Sequence, residues 1–172
     1  VIAALDDICW TTNLRGDDIE YFPLLLSYAV ITMDGMKLYI DENKLTDEMK
    51  AALAKDNISL RPYNAVYEDV AQLSDSDVIM VDPARLNYAL YNNLPKGASI
   101  IEQTNPTVLM KAMKNDVEIK NIINAHIKDG TAVTRFMYWL KKNVGKTEIT
   151  EMSAADKLEE FRKEQEGYLW QS

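Results

Sequence analysis

The sequence predicts an α/β fold with a mixed β-sheet flanked by helices, followed by a segment that is only helical. Short β-branched runs alternate with helical patterns up to Gln103, which is typical of α/β layers. A hairpin signal near the start adds an antiparallel pair to that sheet. From Thr104 the strand signals stop and a long helical period begins. We therefore expect one α/β domain over residues 1–103 and a truncated helical domain over residues 104–172.

The first element is predicted from LDDICWTTNLRGDDIEYFP at residues 5–23. Its apolar run around Ile8 and Trp10 predicts a buried strand, and the polar residues after it predict an exposed loop. Loops placed directly after core elements often carry contact residues. Asn13 and Arg15 are therefore the candidate contact residues of this loop.

A β-hairpin is predicted next, from SYAVITMDGMKLYI at residues 27–40. Two β-branched and aromatic runs flank Asp34 and Gly35, and this dipeptide can supply the positive φ angles of a tight turn. The rest of the α/β part is predicted to alternate: helix 41–57, strand 58–63, helix 64–73, strand 76–83, helix 83–97 with Pro83 in its first turn, and strand 98–103.

The helical part is predicted to contain two helices, a long one after Thr104 and a second over residues 147–170. Thr150 or Ser153 is expected to cap the second helix. The long helix has a stripe expected to be its buried face: Ile119, Ile122, Ile123, Ile127, Val133, Met137 and Leu140. Two helices packed only on each other have marginal stability. We therefore expect their apolar faces to be partly exposed in this chain and to be covered by the remainder of their domain in a longer protein.

Composition excludes several classes of function. The net charge of −8 argues against nucleic acid as the main partner, because phosphate binding requires clustered Lys and Arg. Cys9 is the single cysteine, which excludes an intrachain disulfide and fits a reducing, cytoplasmic compartment. The most apolar run, residues 22–33, is shorter than the roughly 20 residues of a membrane helix. A Val start and a GYLWQS end suggest a piece of a longer protein.

No residue pattern predicts a catalytic or metal site. His126 is the single histidine, and without an HExxH motif we favour a helix histidine that donates to a carbonyl over a base or metal ligand. The pairs Asp6-Asp7 and Asp17-Asp18 lack EF-hand spacing, so we expect solvated or capping carboxylates.

Arg15 is the most informative charge, and two interpretations of it are equally favoured. A guanidinium on a turn suits bidentate recognition of a carboxylate. Alternatively, it forms an ion pair within the domain, with Asp17 or Asp18. From the residues alone, the chain is an α/β domain without a self-contained catalytic set, and they do not reveal a function.

Several segments in order resemble Xaa-Pro aminopeptidases (aminopeptidase P) of the creatinase/prolidase, or pita-bread, metallopeptidase family. The resemblance covers essentially the whole chain, and its most specific segments are NLRG at residues 13–16, AHIKDG at 125–130 and SAADKLEEFR at 153–162. It implies that residues 1–103 are a creatinase N-terminal-like domain, the middle domain of its parent. Residues 104–172 would be the first helices of the pita-bread catalytic domain.

The resemblance also implies a function for the parent. Such enzymes hydrolyse the bond between an N-terminal residue and a following proline, using two divalent metals, usually manganese. The family's metal ligands lie downstream of this chain, so no catalytic residue and no metal ligand is expected here, and the chain alone should be inactive. Asn13 and Arg15 match the loop that limits peptide entry to the cleft. A homodimer is the expected assembly.

Two alternatives remain open at this point. One is a metal-free, aminopeptidase-like module that binds proteins, and the other is a fragment of a prolidase that acts on Xaa-Pro dipeptides. If the rest of the parent contains the ligand set of two Asp, one His and two Glu, the parent is a peptidase and not a metal-free binding module.

Overall fold

The computed structural model describes residues 1–169 and contains two compact units, Val1–Met113 and one that begins at Lys114. Trp170, the last residue of the second predicted helix, lies outside the described residues. The first unit carries all the strands named below, and α6 and α7 lie in the second. The predicted α/β class with a mixed sheet is confirmed, whereas the domain boundary near Gln103 stays a prediction.

The mixed sheet has the strand order β1-β2-β3. Strands β1 (Tyr28–Thr32) and β2 (Gly35–Tyr39) form the predicted antiparallel hairpin, and β3 (Ile58–Arg61) runs parallel to β2. The loop consists of Met33 and Asp34, one residue earlier than predicted, because Thr32 already pairs with Gly35. Only Gly35 of this turn has positive φ, at 147°.

A second, parallel pair consists of β4 (Val78–Val81) and β5 (Ser99–Glu102). Five helices accompany the strands of the first unit: α1 (Leu5–Thr12), α2 (Asp47–Lys55), α3 (Val66–Ala71), α4 (Tyr88–Asn93) and α5 (Pro106–Ala112). The core forms two clusters on the two faces of the mixed sheet, since Leu38 belongs to one cluster and its neighbour Tyr39 to the other.

The long helix predicted after Thr104 is interrupted, because Asn115 caps a new helix, so that α5 and a later helix starting at Asp116 replace it. Two further element predictions in the first unit were also wrong. Residues 5–12 form helix α1 and not a strand, because Leu5, Ile8 and Cys9 have helical spacing and acidic Asp6 and Asp7 favour a first helical turn. Helix α4 begins at Tyr88 rather than at Pro83, since the Asn87 side chain accepts from the Leu90 N–H and caps the helix there.

The second unit contains two helices of unequal length, α6 (Asp116–Asn143) and α7 (Glu151–Lys163). Asn115 and Glu118 form a capping box at the start of α6. Thr150 caps α7 as predicted, and Ser153 completes that box. Glu159 and Lys163 form an ion pair one turn apart on α7, with 2.7 Å between Oε1 and Nζ.

The stripe predicted as the buried face of the long helix is mostly exposed. Val133 and Leu140 are half-buried. The other five residues are exposed over 40–63% of their surface: Ile119, Ile122, Ile123, Ile127 and Met137. The prediction of a buried stripe is therefore wrong for this chain, whereas the prediction that the apolar face is partly exposed is confirmed.

Candidate functional site

The candidate site is the N-terminal loop, residues 13–18, which begins where α1 ends. Asn13 has left-handed backbone angles, φ 55° and ψ 22°, and its N–H donates to the carbonyl of Trp10. Asparagine adopts this conformation more readily than most residues. Asn13 therefore ends the helix and turns the chain, and it lies exposed on the surface.

Arg15 is exposed, and its guanidinium caps the C-terminal end of α1 through hydrogen bonds to backbone carbonyls. Nη1 donates to the carbonyl oxygens of Cys9 at 2.8 Å and of Leu14 at 2.7 Å. A cation at this position also complements the negative end of the helix dipole. Because a guanidinium has five N–H donors, contacts through Nη1 leave Nε and Nη2 for a carboxylate.

The alternative ion pair predicted for Arg15 does not form. Among residues 1–169, no ion pair joins Arg15 to Asp17 or Asp18. Asp18 instead pairs with Lys44 and accepts from the N–H of Leu26 at 2.7 Å. Burial opposes ionisation of Asp18, but these partners outweigh it and hold the pKa of its carboxyl below the ordinary value.

Close packing fixes the shape of the N-terminal loop. A Cβ added to Gly16 would lie 2.2 Å from Cδ2 of Leu25, a side chain only 4% exposed. The N–H of Leu25 also donates to Sγ of buried Cys9, at 3.4 Å. The loop therefore presents Asn13 and Arg15 from an ordered backbone rather than from a mobile one.

A second polar group, which we call the α1–α5 cluster, consists of Asp6, Asp7, Asn105 and Lys111. Asp7 is 1% exposed, and its carboxylate accepts from Nζ of Lys111 at 2.7 Å and from Nδ2 of Asn105 at 3.3 Å. Asp6 also pairs with Lys111. The prediction of a solvated or capping carboxylate is therefore wrong for Asp7, which is a buried partner of Lys111.

The charges of the α1–α5 cluster stabilise one another. Burial opposes the charged form of Lys111, but hydrogen bonds and attraction from Asp6 and Asp7 raise the pKa of its ammonium. Burial likewise opposes ionisation of Asp6, and Lys111 and Arg85 together lower the pKa of that carboxyl. The cluster attaches α5, which leads toward the second unit, to helix α1 of the α/β layer.

The described residues do not fit a metal centre. Within residues 1–169 no group of three or more His, Cys, Asp or Glu side chains is placed to hold a metal ion. His126 lies exposed on α6.

None of the helices described here is long and apolar enough to cross a membrane.

Sequence reasoning found the N-terminal loop but missed the α1–α5 cluster. Asp7 and Lys111 are 104 positions apart, and no local pattern links them. The available signal was an acidic residue among apolar Ile8 and Cys9, since a carboxylate in such a position is seldom buried without a partner. These features describe an α/β domain with an ordered, exposed loop.

The comparisons with known proteins assign this domain to a family. Residues 1–118 match the family model of the Creatinase/Prolidase N-terminal domain, and the chain belongs to that family. It is 38% identical to a probable Xaa-Pro aminopeptidase P of Podospora anserina and 39% identical to Xaa-Pro aminopeptidase 1 of Dictyostelium discoideum, with 98% of the chain aligned in both. The chain spans 26% and 27% of the lengths of these two relatives.

A solved structure has the same fold. It is an X-prolyl aminopeptidase from Caenorhabditis elegans, described as a cytosolic enzyme with a di-nuclear active site. The TM-score is 0.83 at 31% sequence identity, and the match covers 96% of this chain and 28% of that one. The resemblance found in the NLRG, AHIKDG and SAADKLEEFR segments is thereby confirmed.

Proposed function

We propose that the chain is a non-catalytic part of a metal-dependent Xaa-Pro aminopeptidase, which removes an N-terminal residue that precedes proline. One observation carries this proposal. Nearly the whole chain aligns with enzymes of that name at 38–39% identity, over only about a quarter of their length. The substrate of the parent is then a peptide with proline in second position.

The catalytic metals belong, in this proposal, to the part of the parent outside this chain. The neighbour's di-nuclear active site supports two divalent ions, which we propose to be manganese. Such a pair activates water and polarises the scissile carbonyl. Residues 1–169 contain no ligand set for it, so we expect the 172-residue chain to be inactive by itself.

The role of this part is to shape substrate access and to pack against other domains or subunits. Asn13 and Arg15 are the proposed access residues, because the N-terminal loop is both ordered and exposed. The exposed apolar face of α6 is the proposed contact for the remainder of the pita-bread domain. A cytoplasmic homodimer is the proposed state of the parent, and the cytosolic neighbour supports its location.

The proposed activity is tested with a matched panel of peptides. The longer parent, loaded with manganese, should hydrolyse a tripeptide that begins Xaa-Pro and should leave the corresponding Xaa-Ala tripeptide intact. Hydrolysis restricted to Xaa-Pro dipeptides would show a prolidase instead. No hydrolysis and no bound metal in the parent would show a metal-free binding module.

The role of Arg15 is tested by Arg15→Ala in the longer parent. We expect KM for the tripeptide to rise about tenfold with kcat unchanged, because a hydrogen bond to a charged group contributes about 1.5–3 kcal/mol. Asp17→Ala, an exposed change in the same loop, is the control. An unchanged KM in a variant that keeps its thermal stability would remove Arg15 from the site.

A further inference from the structure

Helix α1 carries the α1–α5 cluster at its first turn and the N-terminal loop after its last turn. It has eight residues, so its two ends lie about 12 Å apart at the ordinary rise of an α-helix. Its residues Ile8 and Cys9, which are 1% and 2% exposed, pack in the core on one face of the mixed sheet. A displacement of the first turn is therefore transmitted to the loop, because a short helix packed in this way moves as one body.

The side chain of Asp7 attaches the first turn of α1 to α5. Its carboxylate accepts from Nζ of Lys111 at 2.7 Å and from Nδ2 of Asn105 at 3.3 Å. A buried carboxylate is costly unless a cation and hydrogen-bond donors compensate it. Loss of the Lys111 ammonium should therefore drive the carboxylate toward water, and the first turn of α1 must shift with it.

Polar side chains at the other end of α1 bond back to the same turn. The hydroxyl of Thr11 donates to the carbonyl of Asp7 at 2.8 Å. The hydroxyl of Thr12 donates to the carbonyl of Ile8 at 2.8 Å and accepts from the N–H of Leu14 at 3.4 Å. An amide of the N-terminal loop is thus held by a side chain that is itself bonded to the carbonyl next to Asp7.

Arg15 depends on the same part of the helix, through Cys9. Nη1 of Arg15 donates to the carbonyl of Cys9 at 2.8 Å. Sγ of Cys9 accepts from the N–H of Leu25 at 3.4 Å, and Leu25 is the residue that packs against Gly16 of the loop. Residues 7–9 therefore carry both the contact with α5 and the contacts that place the Arg15 guanidinium.

We propose that Lys111 is a positioning residue for the N-terminal loop: it holds Asp7, and through residues 7–9 of α1 it fixes the place of the Arg15 guanidinium. The coupling runs through hydrogen bonds and one helical turn that form a contiguous network. The consequence for substrate binding rests on the proposed function, because Arg15 is a proposed access residue. The consequence for the order of the loop is independent of that function.

The first experiment measures amide hydrogen exchange at Leu14 in variants of the 172-residue chain, at free energies of unfolding matched by added urea. Two controls accompany Lys111→Met. Leu90→Ala destabilises the same unit from the other face of the sheet. Arg85→Met removes the other cation of the cluster, which pairs at 3.7 Å with the more exposed Asp6. Lys111→Met should speed exchange at Leu14 about tenfold or more relative to either control.

The cation itself is tested by Lys111→Arg, which keeps a positive charge beside Asp7 and should leave exchange at Leu14 within about threefold of that in the unchanged chain. Exchange as fast as in Lys111→Met would contradict a role for the cation. Equal exchange in Lys111→Met and both controls would overturn the proposal, since Lys111 would then stabilise the unit without positioning the loop.

The second experiment combines Lys111→Met and Arg15→Ala in the longer parent, with the Xaa-Pro tripeptide as substrate. Lys111→Met alone should raise KM about fivefold with kcat unchanged, and it should raise KM no further when Arg15 is already absent. An equal rise in both backgrounds would overturn the proposal, because Lys111 would then act without Arg15. A parent that hydrolyses no peptide would refute the proposed function instead, and the exchange at Leu14 would still decide the present inference.

Discussion

The two compact units of this chain bury their apolar residues to very different extents. In the first unit, Leu38 and Val66 have no exposed surface, and both faces of the mixed sheet are covered. In the second unit, Ala132 is the one buried residue among positions 114–169, while Ile123 and Ile127 are more than half exposed. Amphipathic patterning is equally clear in both units.

An apolar helical stripe therefore predicts a packing face but not the partner that covers it. In the first unit, the partners are local strands and helices of the same sequence. In the second, α6 and α7 cover only part of each other, which agrees with the proposal that the remainder of a larger domain packs against them.

The strongest contrast between the units concerns an ion pair in each. Lys111→Met should lower the free energy of unfolding of the first unit by about 3–5 kcal/mol, because it leaves the Asp7 carboxylate buried without its cation. The matched change Lys163→Met removes a pair on α7 whose lysine side chain is 57% exposed, and it should leave stability unchanged within error. Urea unfolding followed by hydrogen exchange reports each unit separately. Equal small effects would contradict a buried charge at Asp7.

The exposed face of α6 should matter only in the longer parent. Ile123→Ala should change the stability of the 172-residue chain by less than about 0.5 kcal/mol, as for a surface residue. In the parent it should cost about 3 kcal/mol, because the same side chain is then buried. Leu38→Ala is the control and should be destabilising in both forms. An effect of Ile123→Ala that is the same in both would mean that this face stays exposed.

The two units also differ in the space around a glycine, Gly35 in the first and Gly130 in the second. A Cβ at Gly35 would lie 2.4 Å from the carbonyl oxygen of Asn57, and φ is 147°. Gly35→Ala should therefore destabilise the first unit by about 2 kcal/mol. Gly130 lies in α6 with nothing within 4 Å of an added Cβ, so Gly130→Ala should stabilise that helix by about 1 kcal/mol. Thermal unfolding of both variants tests whether the two changes in stability have opposite signs.

The smallest effect is a loss of stability of the first unit in acid. Burial opposes ionisation of Asp69, but hydrogen bonds from Arg61 and Tyr39 outweigh it and lower the pKa of its carboxyl. The folded pKa lies below the unfolded value of about 4, so this stabilisation is present above pH 4 and is lost as pH falls through the folded pKa. Asp69→Asn should flatten the dependence of stability on pH below 4. An unchanged slope would contradict the pairing.

Most elements of the first unit were predictable because their signals are local. The hairpin and the alternation after it each depend on a few neighbouring residues, as does the Thr150 cap in the second unit. Helix α1 was missed because an apolar run as short as Ile8–Trp10 fits a strand or a helix equally well. The contacts of Arg15 and the pairing of Asp7 with Lys111 depend on tertiary structure, and their partners cannot be chosen from sequence separation alone.

The most direct test of the proposed function compares the 172-residue chain with its longer parent in one experiment. Both are titrated with manganese, and hydrolysis of a peptide that begins Xaa-Pro is measured together with the amount of bound metal. We expect two metal ions and hydrolysis in the parent, and neither in the 172-residue chain. Metal binding or hydrolysis by the 172-residue chain would contradict the account, because it would place the catalytic centre among residues that we assign to the scaffold.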